Sequence, residues 1–287
     1  MKIAFAGMGV MGAPMAGHLK RAGHDVTVFN RSPAKAEAWA AAHGGRWAPT
    51  AKDAAEGVEL FVLCVGNDDD VRQVVTEALP VLAPGAVIVD HTTTSAKVAR
   101  EMAELAAASG RTFLDAPVSG GQAGAENGTL TVMAGGDAAA FARVEPVLGA
   151  YAKATRLMGP AGAGQLTKMV NQICIAGVVQ GLAEAVHFAK CAGLDTTAAY
   201  EAVSKGAAQS WQMDNRWKTM AENRFDFGFA VDWMRKDLGL VLDEARANGA
   251  NLALTALVDQ FYSEVQAMGG SRWDTSSLAA RLEDRRR

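Results

Sequence analysis

The spacing of apolar positions changes partway along the chain. In the first half, short apolar runs lie at 2–7 (KIAFAG), 25–30 (DVTVFN), 60–65 (LFVLCV), 86–91 (AVIVDH) and 112–118 (TFLDAPV). Helically spaced stretches separate several of them. PAKAEAWAAAHG predicts a helix stopping at Gly44 or Gly45, and another is expected at 97–109. Largely unalternating strands interleaved with helices imply an α/β unit, a doubly wound, mostly parallel sheet covered on both faces. A further strand is expected at 128–136 and a helix near 137–149, and ATRLMG closes the region at Gly159-Pro160. Beyond that point strand signals nearly vanish. From Gly164 to Leu194 the chain reads as one long helix, followed by helices at 196–205, 210–223, 232–248, 251–268 and 275–284. Residues 1–160 are thus expected to form an α/β domain, and 161–287 an all-α domain entered through the long interdomain helix. Two domains suit a chain of 287 residues.

Composition narrows the partners. With 28 basic and 31 acidic residues the formal charge is −3, which gives no reason to expect nucleic acid or an anionic membrane as the main partner. The glycines of MKIAFAGMGVMG break any signal-peptide core, and no run is expected to reach the ~20 apolar residues of a membrane span. A cytoplasmic location follows as an expectation. Cys64, Cys174 and Cys191 stand apart in apolar or helical contexts, with no metal spacing, and are expected to be buried thiols. NDDDVR (67–72) reads as a helix-capping turn with Asp68, Asp69 and Asp70 near the positive end, rather than a metal site. No metal is expected elsewhere. EDRRR at the C-terminus reads as a charged tail. Trp211 and Trp217 are expected to pack, and Trp233, three residues before Lys236, to shape a pocket wall.

Chemistry enters at the first strand. Gly7, Gly9 and Gly12 form G-x-G-x-x-G between that strand and a helix, the setting in which the pattern binds a dinucleotide. Gly7 permits the tight turn, Gly9 lets backbone approach a pyrophosphate, and Gly12 lets helix pack on strand. Met8, Val10 and Met11 complete this candidate cofactor loop, and Val65, closing the 60–65 strand, joins it. The second strand ends in Asn30, Arg31 and Ser32 rather than an acidic residue. A carboxylate there would repel a 2′-phosphate, whereas a guanidinium clamps one, so NADP(H) is expected over NAD(H). Ser32 is expected to cap the next helix. Further on, GAGQLTKMVNQ (162–172) places Lys168 and Asn171 one turn apart on one helix face. A buried ammonium is costly, so it needs a partner, a snorkelling exit or a chemical task.

Four motifs in order, GMGVMGAPMAGHL (7–19), DAPVSGG (115–121), GAGQLTKMVNQ (162–172) and KDLGLVLDEA (236–245), make the chain resemble the β-hydroxyacid dehydrogenase family over essentially its whole length. That family includes 3-hydroxyisobutyrate dehydrogenase and tartronate semialdehyde reductase. The resemblance implies a Rossmann domain followed by an all-α domain. The 164–194 stretch reads as too apolar for a helix with a wet face, so a homodimer or homotetramer formed largely through the second domain is expected. The resemblance also implies that Ser119, Gly120 and Gly121 hold the carboxylate of a small substrate. Lys168 would be the general acid/base, and Asn171 would orient the substrate. Thr93 would lie by the nicotinamide, Lys236 would reach the cofactor, and Phe229 and Asp237 would line the site. The chain departs from the family pattern at His91, Thr92, Ala96 and Gln172. His91 is expected to be a strand-end residue with a satisfied hydrogen bond. The expected activity is NADP-dependent interconversion, by hydride transfer, of a small β-hydroxyacid and its semialdehyde or 2- or 3-oxo acid. The alternatives are an imine reductase, disfavoured by Lys168, and a non-catalytic cofactor-binding protein, disfavoured by the intact Lys168 and Ser119.

Overall fold

The computed structural model of the protein describes residues 1–284, so the last three arginines of the expected charged tail lie outside the described residues. Packing divides the chain into two compact units, Met1–Lys168 and Met169 onward. The strands of the first are β1 Lys2–Ala6, β2 Asp25–Phe29, β3 Arg46–Trp47, β4 Leu60–Leu63, β5 Val87–Asp90, β6 Thr112–Asp115, β7 Val118–Ser119, β8 Leu130–Gly135 and β9 Ala152–Gly159. They form one sheet in the order β3-β2-β1-β4-β5-β6-β8-β7, with β9 paired to β8. The pairs from β3 to β6 are parallel. β8 is antiparallel to β6 and β7 and parallel to β9. The strand order reverses between β1 and β4, and the crevice at such a reversal is where open α/β sheets bind ligands.

The side-chain period of two explains why these strands are apolar throughout. Ile3, Phe5, Leu60 and Val62 enter one core with Met15, Leu19, Trp39 and Phe141. Ala4, Ala6, Phe61 and Leu63 enter the other with Val71, Val75, Val98 and Met102. Phe5 and Phe61 are fully buried, and each such burial is worth roughly 1.5–3 kcal/mol. An exposed ion pair such as Arg46–Asp25 is worth about 0–1 kcal/mol, so the two cores dominate.

Caps set the helix starts. Thr50, Asn67, Ser95 and Asp137 each accept a bond from the N–H three residues on. Gly44, at φ 65°, ends Pro33–His43 in the left-handed conformation. The strand β3 and the helices Ala51–Ala55 and Gly121–Glu126 are too short to carry a periodic signal, and the apolar pattern does not predict them.

The long helix runs Ala163–Cys191. It is followed by Thr196–Val203, Trp211–Ala221, Val231–Asn248, Ala253–Ala267 and Leu278–Asp284. Val179, Val186, Trp217, Met234, Leu238, Val258 and Tyr262 form the core of the second unit. Two expectations fail here. Cys174 and Cys191 are exposed and Cys64 is half-buried, because apolar context predicts a helix without saying which of its sides is covered. The long helix is also long and apolar enough, by length and composition, to cross a membrane. Its scattered polar residues hide this from a search for unbroken apolar runs, and buried core helices meet the same criterion.

Candidate active site

The glycine loop follows β1. Gly7 has φ 101°, and a Cβ on it would lie 2.1 Å from the Cys64 carbonyl oxygen. A Cβ on Gly12 would lie 1.9 Å from the Gly7 oxygen, so these two glycines are demanded by the fold itself. Around Gly9 the position of a Cβ is open, the cradle that a pyrophosphate needs. The helix Gly12–Arg21 starts without a side-chain cap and without an acidic residue in its first turn, leaving its positive end suited to phosphate. The loop therefore fits a dinucleotide. Val10 projects outward and Met8 is buried.

Asn30 braces this loop. Its Oδ1 accepts from the Met8 N–H at 2.8 Å and its Nδ2 donates to the Ser32 carbonyl at 3.0 Å. Arg31 is 84% exposed, with Nη1 3.1 Å from Asp70 Oδ1. Ser32 takes the N-cap position but its side chain makes no capping bond. The Lys35 N–H, which such a cap would serve, bonds the Ser32 carbonyl at 3.2 Å instead, so the expected side-chain cap is corrected. The three aspartates of NDDDVR have separate tasks. Asp68 accepts from the Ser95 N–H and hydroxyl, Asp69 pairs with Arg72, and Asp70 holds Arg31 and the Gly66 N–H. The place of Asp70 beside Arg31 is not legible in the sequence, because 39 residues separate them.

Past β4 and β5, the Val65 N–H donates to Thr92 Oγ1 at 3.0 Å, and the Thr92 N–H donates to Asp90 Oδ1 at 2.8 Å. Thr93 follows, half-buried. His91 points inward. Nδ1 lies 2.6 Å from the Ala116 carbonyl and Nε2 lies 2.7 Å from the Tyr151 hydroxyl. A carbonyl only accepts, so Nδ1 carries the hydrogen and the tyrosine donates to Nε2. Burial lowers the His91 pKa to about 4, and the bond to Ala116 opposes that shift. The imidazole is a neutral brace.

Asp115, at the end of β6, caps the long helix. Oδ1 accepts from the Gly162 N–H at 2.7 Å and Oδ2 from the Gln165 N–H at 2.9 Å. Burial raises its pKa, while these N–H donors favour the carboxylate. Lys168, on the second turn of the helix, is buried, and its Nζ donates to the Val118 carbonyl at 2.9 Å. The next residues are Ser119, Gly120 and Gly121. The two glycines have φ 133° and 62°, and the space about Gly121 is open. A hydroxyl and two glycines thus follow directly on the carbonyl that holds the ammonium.

In the second unit, Asn171 Nδ2 donates to Gln172 Oε1 and Gln172 Nε2 to Asp237 Oδ2, both at 2.7 Å. Lys236 Nζ lies 3.3 Å from Asp237 Oδ1 and 5.9 Å from the centre of the Trp233 ring. Asp237 thereby braces both Lys236 and, through Gln172, Asn171. In the sequence Gln172 stands out only as a departure from the family pattern, and its length is what spans to Asp237. Phe229 is partly exposed, and its N–H donates to buried Asp274 at 2.9 Å.

A glycine loop that fits a dinucleotide, together with a buried lysine bonded beside a Ser-Gly-Gly turn, suits an NAD(P)-dependent oxidoreductase acting on hydroxyl groups. Residues 2–162 match the NAD binding domain of 6-phosphogluconate dehydrogenase, and residues 162–282 match the NAD-binding domain of NADP-dependent 3-hydroxyisobutyrate dehydrogenase. The chain is 65% identical over 288 residues to an uncharacterised oxidoreductase of Shewanella frigidimarina, covering 99% of both chains. It is 36% identical to 2-hydroxy-3-oxopropionate reductase of Escherichia coli, covering 99% of this chain and 97% of the other. The structure of Mycobacterium tuberculosis 3-hydroxyisobutyrate dehydrogenase with L-serine superposes with a TM-score of 0.89, at 34% identity and 98% coverage of both chains. The chain belongs to the β-hydroxyacid dehydrogenase family, that of 3-hydroxyisobutyrate dehydrogenase.

Proposed function

We propose that the chain is an NADP(H)-preferring enzyme interconverting a small 3-hydroxy acid and its semialdehyde, with Lys168 as general acid/base. The observation that carries this is the Lys168 bond to Val118, the residue preceding Ser119-Gly120-Gly121. An ammonium held beside a carboxylate cradle suits an acid whose reacting oxygen lies a few bonds from its carboxylate.

Bound NADP(H) supplies or receives the hydride. In reduction, Lys168 Nζ stabilises the charge growing on the carbonyl oxygen and donates its proton there. In oxidation, the neutral amine accepts the hydroxyl proton. Ser119 Oγ and the N–H groups of Gly120 and Gly121 hold the carboxylate, and Asn171 orients the substrate. Gly7 to Gly12 cradle the pyrophosphate, Thr93 and Val65 border the nicotinamide side, and Lys236 serves the cofactor. Phe229 and Asp237 shape the substrate side. The NADP(H) preference is supported by exposed Arg31 beside neutral Asn30. Lys168 argues against the imine reductase alternative.

The test is a panel of 3-hydroxyisobutyrate, L-serine and 2-hydroxy-3-oxopropionate, in the matching reaction direction, with each cofactor. With the best pair, Lys168→Ala should lower kcat by about 10²–10⁴ while leaving NADPH Kd nearly unchanged. Lys168→Arg should not restore oxidation, since guanidinium does not deprotonate. Near-normal kcat in Lys168→Ala would overturn the assignment.

We infer also that the chain assembles with copies of itself through the second unit. Phe188, Leu254 and Leu257 are 69%, 57% and 50% exposed in the single chain. Leu254 lies against the long helix at Gly177. Apolar side chains so exposed favour burial against a partner.

A further inference from the structure

Residues 92–94 lie just beyond β5, where the sheet ladder stops. A side-chain amide from the long helix takes over there. The Thr94 N–H donates to Gln165 Oε1 at 3.0 Å, and Gln165 Nε2 donates to the Thr92 carbonyl at 2.7 Å. Gln165 and Thr94 are fully buried and Thr92 nearly so. An N–H only donates and a carbonyl only accepts, so the amide has one possible orientation and stands in for the peptide of a neighbouring strand. Without it, two buried backbone groups would lose these partners.

The same helix turn is tied elsewhere. The N–H groups of Gly162 and Gln165 donate to Asp115 at the end of β6. One turn on, Lys168 Nζ donates to Val118 at the start of β7. The helix start is therefore pinned to three successive strand ends, and Gln165 makes the tie to the loop bearing Thr93.

We propose that Gln165 is a positioning residue. Its amide holds the loop bearing Thr93 against the helix turn bearing Lys168, so the hydride side and the proton side of the site keep a fixed separation. This rests on Lys168 being the general acid/base. Reacting atoms must approach to about 3–3.5 Å, so slack between loop and helix appears in kcat. Most of the cofactor's proposed contacts lie away from Gln165, on the glycine loop, Arg31 and Lys236.

Two variants test it. Gln165→Glu preserves shape. One oxygen still accepts from Thr94, but the other faces the Thr92 carbonyl and bonds it only when protonated. Gln165→Met fills the space and bonds neither group. The titratable groups around the amide, Asp90, His91, Asp115 and Lys168, are common to variant and wild type, so the ratio of their kcat values isolates residue 165. At about pH 8 both ratios should fall roughly tenfold or more, with NADPH Kd, read by fluorescence, within about twofold of wild type. The Glu ratio should climb as pH falls toward about 5.5, and the Met ratio should stay low. Hydrogen exchange at the Thr94 amide should quicken in Gln165→Met. If the Met variant does not fold, the pH profile of the Glu variant decides alone. The proposal is overturned by a Glu ratio that is flat with pH. It is equally overturned by near wild-type kcat with a lowered Tm, the signature of a merely structural amide. Lys168→Ala runs alongside: if it turns over normally, the lysine assignment has failed; if it is inactive while both Gln165 variants are normal, only the positioning role has.

Discussion

At Arg31 the proposed NADP(H) preference turns on one guanidinium. Its Nη1 is shared with Asp70, yet the side chain is 84% exposed, so that pair is weak and open to competition from a phosphate. Arg31→Ala should weaken NADPH by about 1.5–3 kcal/mol while hardly changing NADH, measured as Kd by fluorescence titration. Equal loss for both cofactors would remove the 2′-phosphate role. His91 invites a different experiment. Burial holds its pKa near 4 in the folded chain against 6.5 for an ordinary histidine. The unfolded chain therefore binds the proton first. The stability this neutral imidazole contributes is complete above pH 6.5 and drains away as pH falls toward 4, by about 3 kcal/mol in all. His24 and His43 are shifted in the same direction, so the comparison must be with a variant that keeps them. His91→Gln should flatten the acid limb of Tm against pH. An unchanged slope between the two proteins would refute it.

Among the elements, the β1 loop separates fold from function within six residues. Gly12→Ala forces a Cβ onto the Gly7 carbonyl and should destabilise by about 1–3 kcal/mol. Gly9→Ala meets open space, so Tm should hold while NADPH Kd rises; Tm and Kd measured on both variants separate the two roles. A Gly9→Ala protein with wild-type Kd would show that the cradle lies elsewhere. The motif spacing makes this loop legible in the amino-acid order alone, as are the short apolar strands and the helix at Lys168. Other elements leave no such trace. The helix Ala51–Ala55 is too short for a period, and β8 carries strand character without its antiparallel direction. Serine caps helices by rule, which is why the Ser32 side chain is expected to do so, but the backbone of its own turn answers the donor first.

For the molecule as a whole, the exposed Phe188, Leu254 and Leu257 bear on assembly. The inferred homo-oligomer should appear in light scattering at micromolar concentration, and Phe188→Glu should shift it toward monomer with its helical content intact. A wild-type monomer would end that inference. What the chain's own order determines are the properties written locally: the change of period near residue 160, the glycine spacing, and the presence of Lys168, Asn171 and the residues of DAPVSGG. Period and turn chemistry act between near neighbours, so they survive in one dimension. What only the tertiary structure decided are pairings between distant residues. Asp115 on the helix start, Gln165 in the loop after β5, Asp70 beside Arg31 and Gln172 on Asp237 join residues 39 to 73 apart. A hydrogen bond selects its partner by position and direction within a few tenths of an ångström, and those are set only when the sheet and the helices have packed.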